Sequence, residues 1–165
     1  MAVTEIDIML AACTEARERT LGLLNQIENT EDPMAVLAWR PGDQRAHIAW
    51  QFMHIGVTEE LFATERLVPD TTPGWPDLVQ RFRGGSTPDD SIPQPEAIRN
   101  LLCESREHLI QVLSEKSEAD LPIIPPAIAD RGWDLRRVLR VLVWHEAHHQ
   151  GQAHITYNLW KALSP

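Results

Sequence analysis

The stretch Trp144-His145-Glu146-Ala147-His148-His149-Gln150-Gly151-Gln152 decides how the rest of the sequence is read. On an α-helix, side chains four residues apart stand one above the other, so His145 and His149 present two imidazoles to the same point. Such a pair chelates a transition metal, but two ligands make a weak site and a third has to come from elsewhere. His148 is turned about 100° from His149 and cannot share its ligand point, which leaves it a structural role. Upstream, Leu135, Val138, Leu139 and Leu142 recur at helical spacing, and His145, His149, Gln152 and Thr156 follow on neighbouring stripes. An apolar stripe thus becomes a histidine stripe halfway along one helix, with Asp134 placed to cap it.

The same periodicity marks three more helices. From Thr4, the expected N-cap, to about Ile27, the residues Ile6, Met9, Leu10, Cys13, Ala16, Thr20, Leu24 and Ile27 recur opposite Glu5, Glu15, Arg19 and Glu28. Asp32-Pro33 can begin a short helical turn, and Arg40-Pro41-Gly42 breaks it. Asp43 is placed to cap a second long helix reaching about Leu67 on Ile48, Phe52, Ile55, Leu61 and Phe62, with His47, Gln51, His54, Thr58 and Leu61 along one stripe. Between Val68 and Pro95, six prolines and three glycines forbid a continuous helix or central strand. A connection of that length is expected to pack over a site or across a bundle, with Trp75 and Phe82 turned back onto the helices. Glu96 to about Lys116 forms a third helix on Ile98, Leu101, Leu102, Leu109, Val112 and Leu113, with His108 beside that face. Pro122, Pro125, Pro126 and Gly132 then mark a second irregular stretch. Four long helices, two long connections and no alternating strand pattern read as an all-α four-helix bundle whose order departs from simple up-down-up-down.

A length of 165 residues suggests a single domain over 1–165, large enough to bury a core without disulfides or a structural metal. The net charge of −9, with no basic stretch, excludes the electrostatic footprint of a nucleic-acid binder. No apolar run approaches the roughly 18 residues of a membrane span, and Met1-Ala2-Val3-Thr4-Glu5-Ile6-Asp7 carries acids where a signal peptide has bases. A cytoplasmic protein is expected. Cys13 and Cys103 have no paired spacing and read as buried free thiols.

Two histidines on the second helix could complete the site. His47 and His54 are seven residues, and therefore about 10 Å, apart along the axis, so they cannot both bind one ion. His54 lies at mid-helix, as His145 and His149 do, and is the matched choice. His47 reads as an N-terminal polar residue or a pocket-rim group, and His108 and His154 as non-ligands.

At these residues the sequence resembles the DinB-like superfamily, which includes YfiT-like proteins and bacterial thiol transferases. The resemblance rests on Ile48-Ala49-Trp50-Gln51-Phe52-Met53-His54-Ile55 and on His145-Glu146-Ala147-His148-His149-Gln150-Gly151-Gln152. Gln150 stands where the family often has Arg, a departure that leaves the ligands intact. The resemblance implies a four-helix bundle of up-down-down-up order and a divalent ion (zinc, nickel or iron) held by His54, His145 and His149. It also implies a homodimer, and in some members transferase or isomerase chemistry on low-molecular-weight thiols.

His145-Glu146-Ala147-His148-His149 also spells H-E-x-x-H, which would make Glu146 a metalloprotease base. No Asp or Glu follows Glu146, and Gln152 and Ile155 stand where a metzincin continuation needs Gly and His. A di-iron carboxylate site would need a second Glu-x-x-His, and the sequence has none. The expectation is therefore a metal-dependent enzyme, a thiol S-transferase or a hydrolase, acting on a small-molecule substrate at a three-histidine site with an open position for water, thiol or substrate. The alternative is a non-catalytic metal-binding or structural bundle. Glu146 is the candidate base, although it also reads as a solvated face residue. Gln152 is placed to orient a ligand histidine or a water through its amide. Trp50, Trp144 and Tyr157 are candidate pocket walls.

Overall fold

The fold is that of a computed structural model in which residues 3–163 are described. It is all-helical, with no strand among those residues. Helix α1 (Glu5–Glu28) starts at a capping box, in which Thr4 Oγ1 accepts from the Asp7 amide at 3.0 Å and Asp7 accepts from the Thr4 amide at 2.9 Å. The short α2 (Pro33–Ala38) takes Asp32 as its cap, with proline in its first turn.

Helix α3 (Ile48–Leu61) begins four residues later than a cap at Asp43 would have started it. The Pro41-Gly42 break is followed by Gln44 at a left-handed φ of 60°, and the cap is supplied by His47, whose Nδ1 accepts from the Trp50 amide at 2.9 Å. After Leu61 the helix widens into a π-turn over Phe62–Arg66. Every residue of α3 is buried, including Gln51, His54, Thr58, Glu59 and Glu60, because it packs against α2, α4, α5 and α6 together.

The long connection contains a helix that its prolines concealed, α4 (Pro76–Phe82), which uses Pro76 at its first position. It packs back as expected: Phe82 is fully buried and Trp75 lies against the core. Further ties are the Gly74 amide donating to Glu60 at 2.9 Å and Arg40 donating to the Asp89 carbonyl at 2.8 Å. Helix α5 (Pro95–Ser114) is followed by two 3-10 turns, Glu118–Asp120 and Pro126–Arg131. Helix α6 (Leu135–Leu163) opens on Asp134, which accepts from the Arg137 amide at 2.7 Å.

The four long helices pack as α3 against α5 and α6, and α1 against α6 and α5. At their centre one charged residue from each helix is buried: Arg17, Glu59, Arg106 and Glu146. Arg17 donates to Glu146 and to Glu59, each at 2.7 Å, and to the Leu102 carbonyl. Arg106 pairs with both glutamates and reaches the Cys13 carbonyl, while Thr20 donates to Glu146 at 2.8 Å. On each helix this residue lies between members of two apolar clusters: Cys13 and Leu24 around Arg17, Ile55 and Phe62 around Glu59, Leu102 and Leu109 around Arg106, Leu142 and Ala153 around Glu146. Two cations and two anions cancel, and no buried side-chain polar atom lacks a partner among the described residues. The free thiols differ in burial, Cys13 being buried and Cys103 only half-buried.

Burial raises the Glu59 carboxyl, but the Arg17 and Arg106 guanidiniums more than offset it and hold it below its ordinary range. The stabilisation this supplies is present above the unfolded carboxyl pKa of about 4.3 and is lost as pH falls through the lower folded value. Truncating one partner leaves a buried charge uncompensated. Arg17→Met is therefore expected to lose about 3–5 kcal/mol in urea unfolding at pH 7. A loss no larger than that of an exposed substitution would show that the quartet does not hold the helices together.

Candidate metal centre

The face of α6 next to Glu146 turns His145 and His149 toward α3, where their rings lie with centroids 4.5 Å apart. His54 meets both, at 4.9 Å from His145 and 4.5 Å from His149. Together these histidines offer ring nitrogens that all lie within 4.8 Å of one another.

The outer nitrogens are tied. His54 Nδ1 lies 2.6 Å from the Phe82 carbonyl, and a carbonyl can only accept, so Nδ1 carries the hydrogen and Nε2 keeps its lone pair. His149 Nδ1 donates in the same way to Gln51 Oε1 at 2.6 Å. Trp50 stacks on His54 at 4.5 Å with an interplanar angle of 13° and fixes the plane of the ring. Oxygen acceptors on the far nitrogen are the usual support of a metal-binding imidazole, since they set its tautomer and raise its basicity.

His54 Nε2 faces His145 Nε2 at 3.1 Å. With the first nitrogen an acceptor, the contact is satisfied by a proton on His145 or by a cation between the two. Nitrogens each about 2.05 Å from zinc at a tetrahedral angle stand roughly 3.3 Å apart, close to that separation. A third imidazole alongside fits the cation. The donor set is wholly neutral nitrogen, suited to zinc, nickel, iron or copper and poorly suited to magnesium or calcium.

Burial is the main force holding these rings neutral. It pushes His145 down to about 3, helped by His54, Arg66 and His148, and His149 to about 3, helped by its histidine neighbours. His54 is lowered by burial too, against the pull of the Phe82 carbonyl. At pH 7 all three are in the form a metal requires.

The other histidines are occupied elsewhere. His47 spends Nδ1 on its helix cap and Nε2 on the Asp89 carbonyl at 3.1 Å, and burial pushes it down to about 4. His108 meets Glu60 at 2.9 Å, His148 stacks on Trp144, and His154 is exposed. Glu146 is not a solvated face residue: it is 1% exposed, and both of its oxygens are engaged by Arg17, Arg106 and Thr20. The signal lay in its spacing, four residues after Leu142 on the core stripe. The Gln152 amide meets His148 at 2.8 Å, and it is Gln51 that holds His149. Gln51 was legible on the His54 stripe, whereas the Phe82 carbonyl, a backbone group, carries no sequence signal. Trp144 lines the site's cavity, Trp50 packs on the His54 ring, and Tyr157 belongs to the core.

His54 and His145 form one wall of a cavity of about 400 Å³, closed by Thr58, Phe62, Trp133 and Trp144 among others. A second cavity of about 480 Å³ lies on the other side of Trp50 and Gln51, with Gln152 at its wall.

Compared with known proteins, the chain matches the family described as the DinB superfamily over residues 12–153. No curated protein and no solved structure matches it closely enough to count as a relative. With most of its length matched, the chain belongs to the DinB superfamily.

Proposed function

We propose that His54, His145 and His149 hold one divalent transition-metal ion, zinc, nickel or iron, and that the protein is a metal-dependent enzyme of thiol S-transferase type. The observation that carries this reading is the convergence of imidazole lone pairs, two of them aimed by tied Nδ1 atoms, beside an open cavity. An ion bound there supplies a Lewis-acidic position that favours the ionised form of a thiol or water. The chain's own residues do the rest: Phe82 and Gln51 orient the rings, Trp50 fixes one of them, and Trp133 and Trp144 wall the approach.

Transfer from a low-molecular-weight thiol is favoured over hydrolysis because no Asp or Glu lines the cavity. Even with water ionised on the metal, hydrolysis needs a group to pass a proton to the leaving group, and Glu146, the one carboxylate next to the histidines in sequence, is locked in the buried quartet. A thiol with a pKa near 8.5 needs only a modest shift to ionise at neutral pH. Glu146 is therefore assigned to holding α6 in register, and Gln152 to the second cavity.

We further infer a single bundle domain of up-down-down-up order. What supports it is the sense of the contacts: Glu5 with Arg136 and Arg17 with Glu146 run together along α1 and α6, as Gly56 with Leu101 and Glu60 with His108 do along α3 and α5. His54 with His145 and Gln51 with His149 run opposed. No described helix is long and apolar enough to cross a membrane, and the free cysteines suit a reducing, cytoplasmic setting. We place a homodimer contact on the exposed α6 stripe of Ile155, Leu159 and Leu163.

Elemental analysis of protein made without a histidine tag is expected to find about one metal per chain, as one three-ligand site requires. The metal should be lost in His54→Ala, His145→Ala and His149→Ala and kept in His47→Ala, while Gln51→Leu weakens affinity about 10–100-fold. Wild-type protein that takes up no metal on reconstitution would contradict the reading. Turnover of a thiol by the loaded protein separates the enzyme from a non-catalytic metal-binding bundle. For the dimer, sedimentation equilibrium should give twice the chain mass for wild type and the chain mass for Ile155→Glu/Leu159→Glu; a wild-type monomer would refute it.

A further inference from the structure

The cavity beside the histidines has a second chemical character. Arg66, Arg83 and Arg131 all line it, and no acidic residue does. Most arginines of this chain are matched to carboxylates, including both arginines of the central quartet. These three form no ion pair and donate no side-chain hydrogen bond among the described residues, although the whole chain carries a net charge of −9. Acids to neutralise them were plentiful.

Their placement keeps their donors free. The Arg66 guanidinium rests on the face of Phe62 at 4.3 Å and that of Arg131 over Trp133 at 5.2 Å. Aromatic faces hold the planar group without using its N–H donors. Arg66 closes the π-turn after α3, Arg83 follows α4, and Arg131 closes a 3-10 turn, so three separate segments converge on one cavity. Arg66 is half-buried there. Burial first, and then the like charges of Arg131 and Arg83, only partly countered by Glu65, push it down to about 10. Its field also reaches His54 and His145.

We propose that Arg66, Arg83 and Arg131 form an oxyanion subsite, so that the small molecule acted on carries a carboxylate or phosphate group held at the arginine end of the cavity. The guanidinium forks donate bidentately to the oxygens of such a group, and Trp133 and Trp144 flank its apolar body. The remainder of the molecule is then directed at the histidine wall. That last assignment rests on the proposed metal-dependent function, whereas the subsite itself does not need the metal and is tested without it.

Isothermal titration calorimetry of chelator-treated full-length protein, with inorganic phosphate in one arm and succinate in the other, measures it directly. Saturable binding of either anion supports the subsite, and the tighter of the two identifies phosphate or carboxylate as the group. Quenching of tryptophan emission should accompany binding, since Trp133 and Trp144 line the cavity. Arg83→Gln and Arg131→Gln, at exposed positions that leave the core untouched, should each weaken binding roughly tenfold. Arg66→Lys, which keeps the charge and loses the fork, should weaken it as well. Arg19→Gln, the same charge change on the outer face of α1, should leave it unaltered. Equal titration of wild type and the Arg83→Gln/Arg131→Gln double variant, or no binding of either anion, would overturn the proposal. Either result would leave the metal measurements standing, so the two readings fail separately.

Discussion

Four buried charges, one from each long helix, set the register of everything else. Arg17, Glu59, Arg106 and Glu146 can satisfy one another only if the helices are rotated and slid so that the four meet in one place. Apolar side chains tolerate a slip of a turn, and a desolvated ion pair does not, because each unmatched charge costs several kcal/mol. Fixing Glu146 toward the bundle centre fixes its neighbours. His145, about 100° around the helix, is turned toward α3, and His149 follows one turn later. The quartet sits next to the candidate metal centre in sequence and at the boundary between the two apolar clusters in space.

The same economy holds His54. Its ring is stacked by Trp50 from one turn earlier, and its Nδ1 is tied to a carbonyl of the long connection. The connection between α3 and α5 thus orients His54 through the helix it contains, since Phe82 is the last residue of α4 and its carbonyl is free of an intrahelical partner in the way helix C-termini leave their carbonyls. His149 takes its support from Gln51, on the helix that also supplies His54. Two long helices and the last carbonyl of α4 are enough to pre-arrange three imidazoles. The neighbouring cavity is then left with positive charge from three arginines and with no competing carboxylate.

Most of the helical plan was legible because periodicity survives in α1, α5 and α6, each of which keeps a polar face. Matching residues by depth along their helices was enough to pair His54 with His145 and His149. What escaped was polar side chains doing core work. Glu59 and Glu146 read as surface by type, and only their places four residues after Ile55 and Leu142 betray them. Helix α3 is buried all round, so its stripe carried little directional information, and its start was misplaced because His47, rather than the better capping residue Asp43, closes the first turn. The arginine cluster draws on three segments distant in sequence, so no local pattern announces it.

The central claim is that three neutral imidazoles present one ion with a position left open. X-ray absorption at the edge of the metal bound by the purified protein tests it most directly, before and after addition of a low-molecular-weight thiol. The account predicts three imidazole nitrogens with a light-atom ligand that gives way to sulfur at about 2.3 Å. A shell containing a protein carboxylate, or one already closed by four protein ligands and unchanged by thiol, would contradict it.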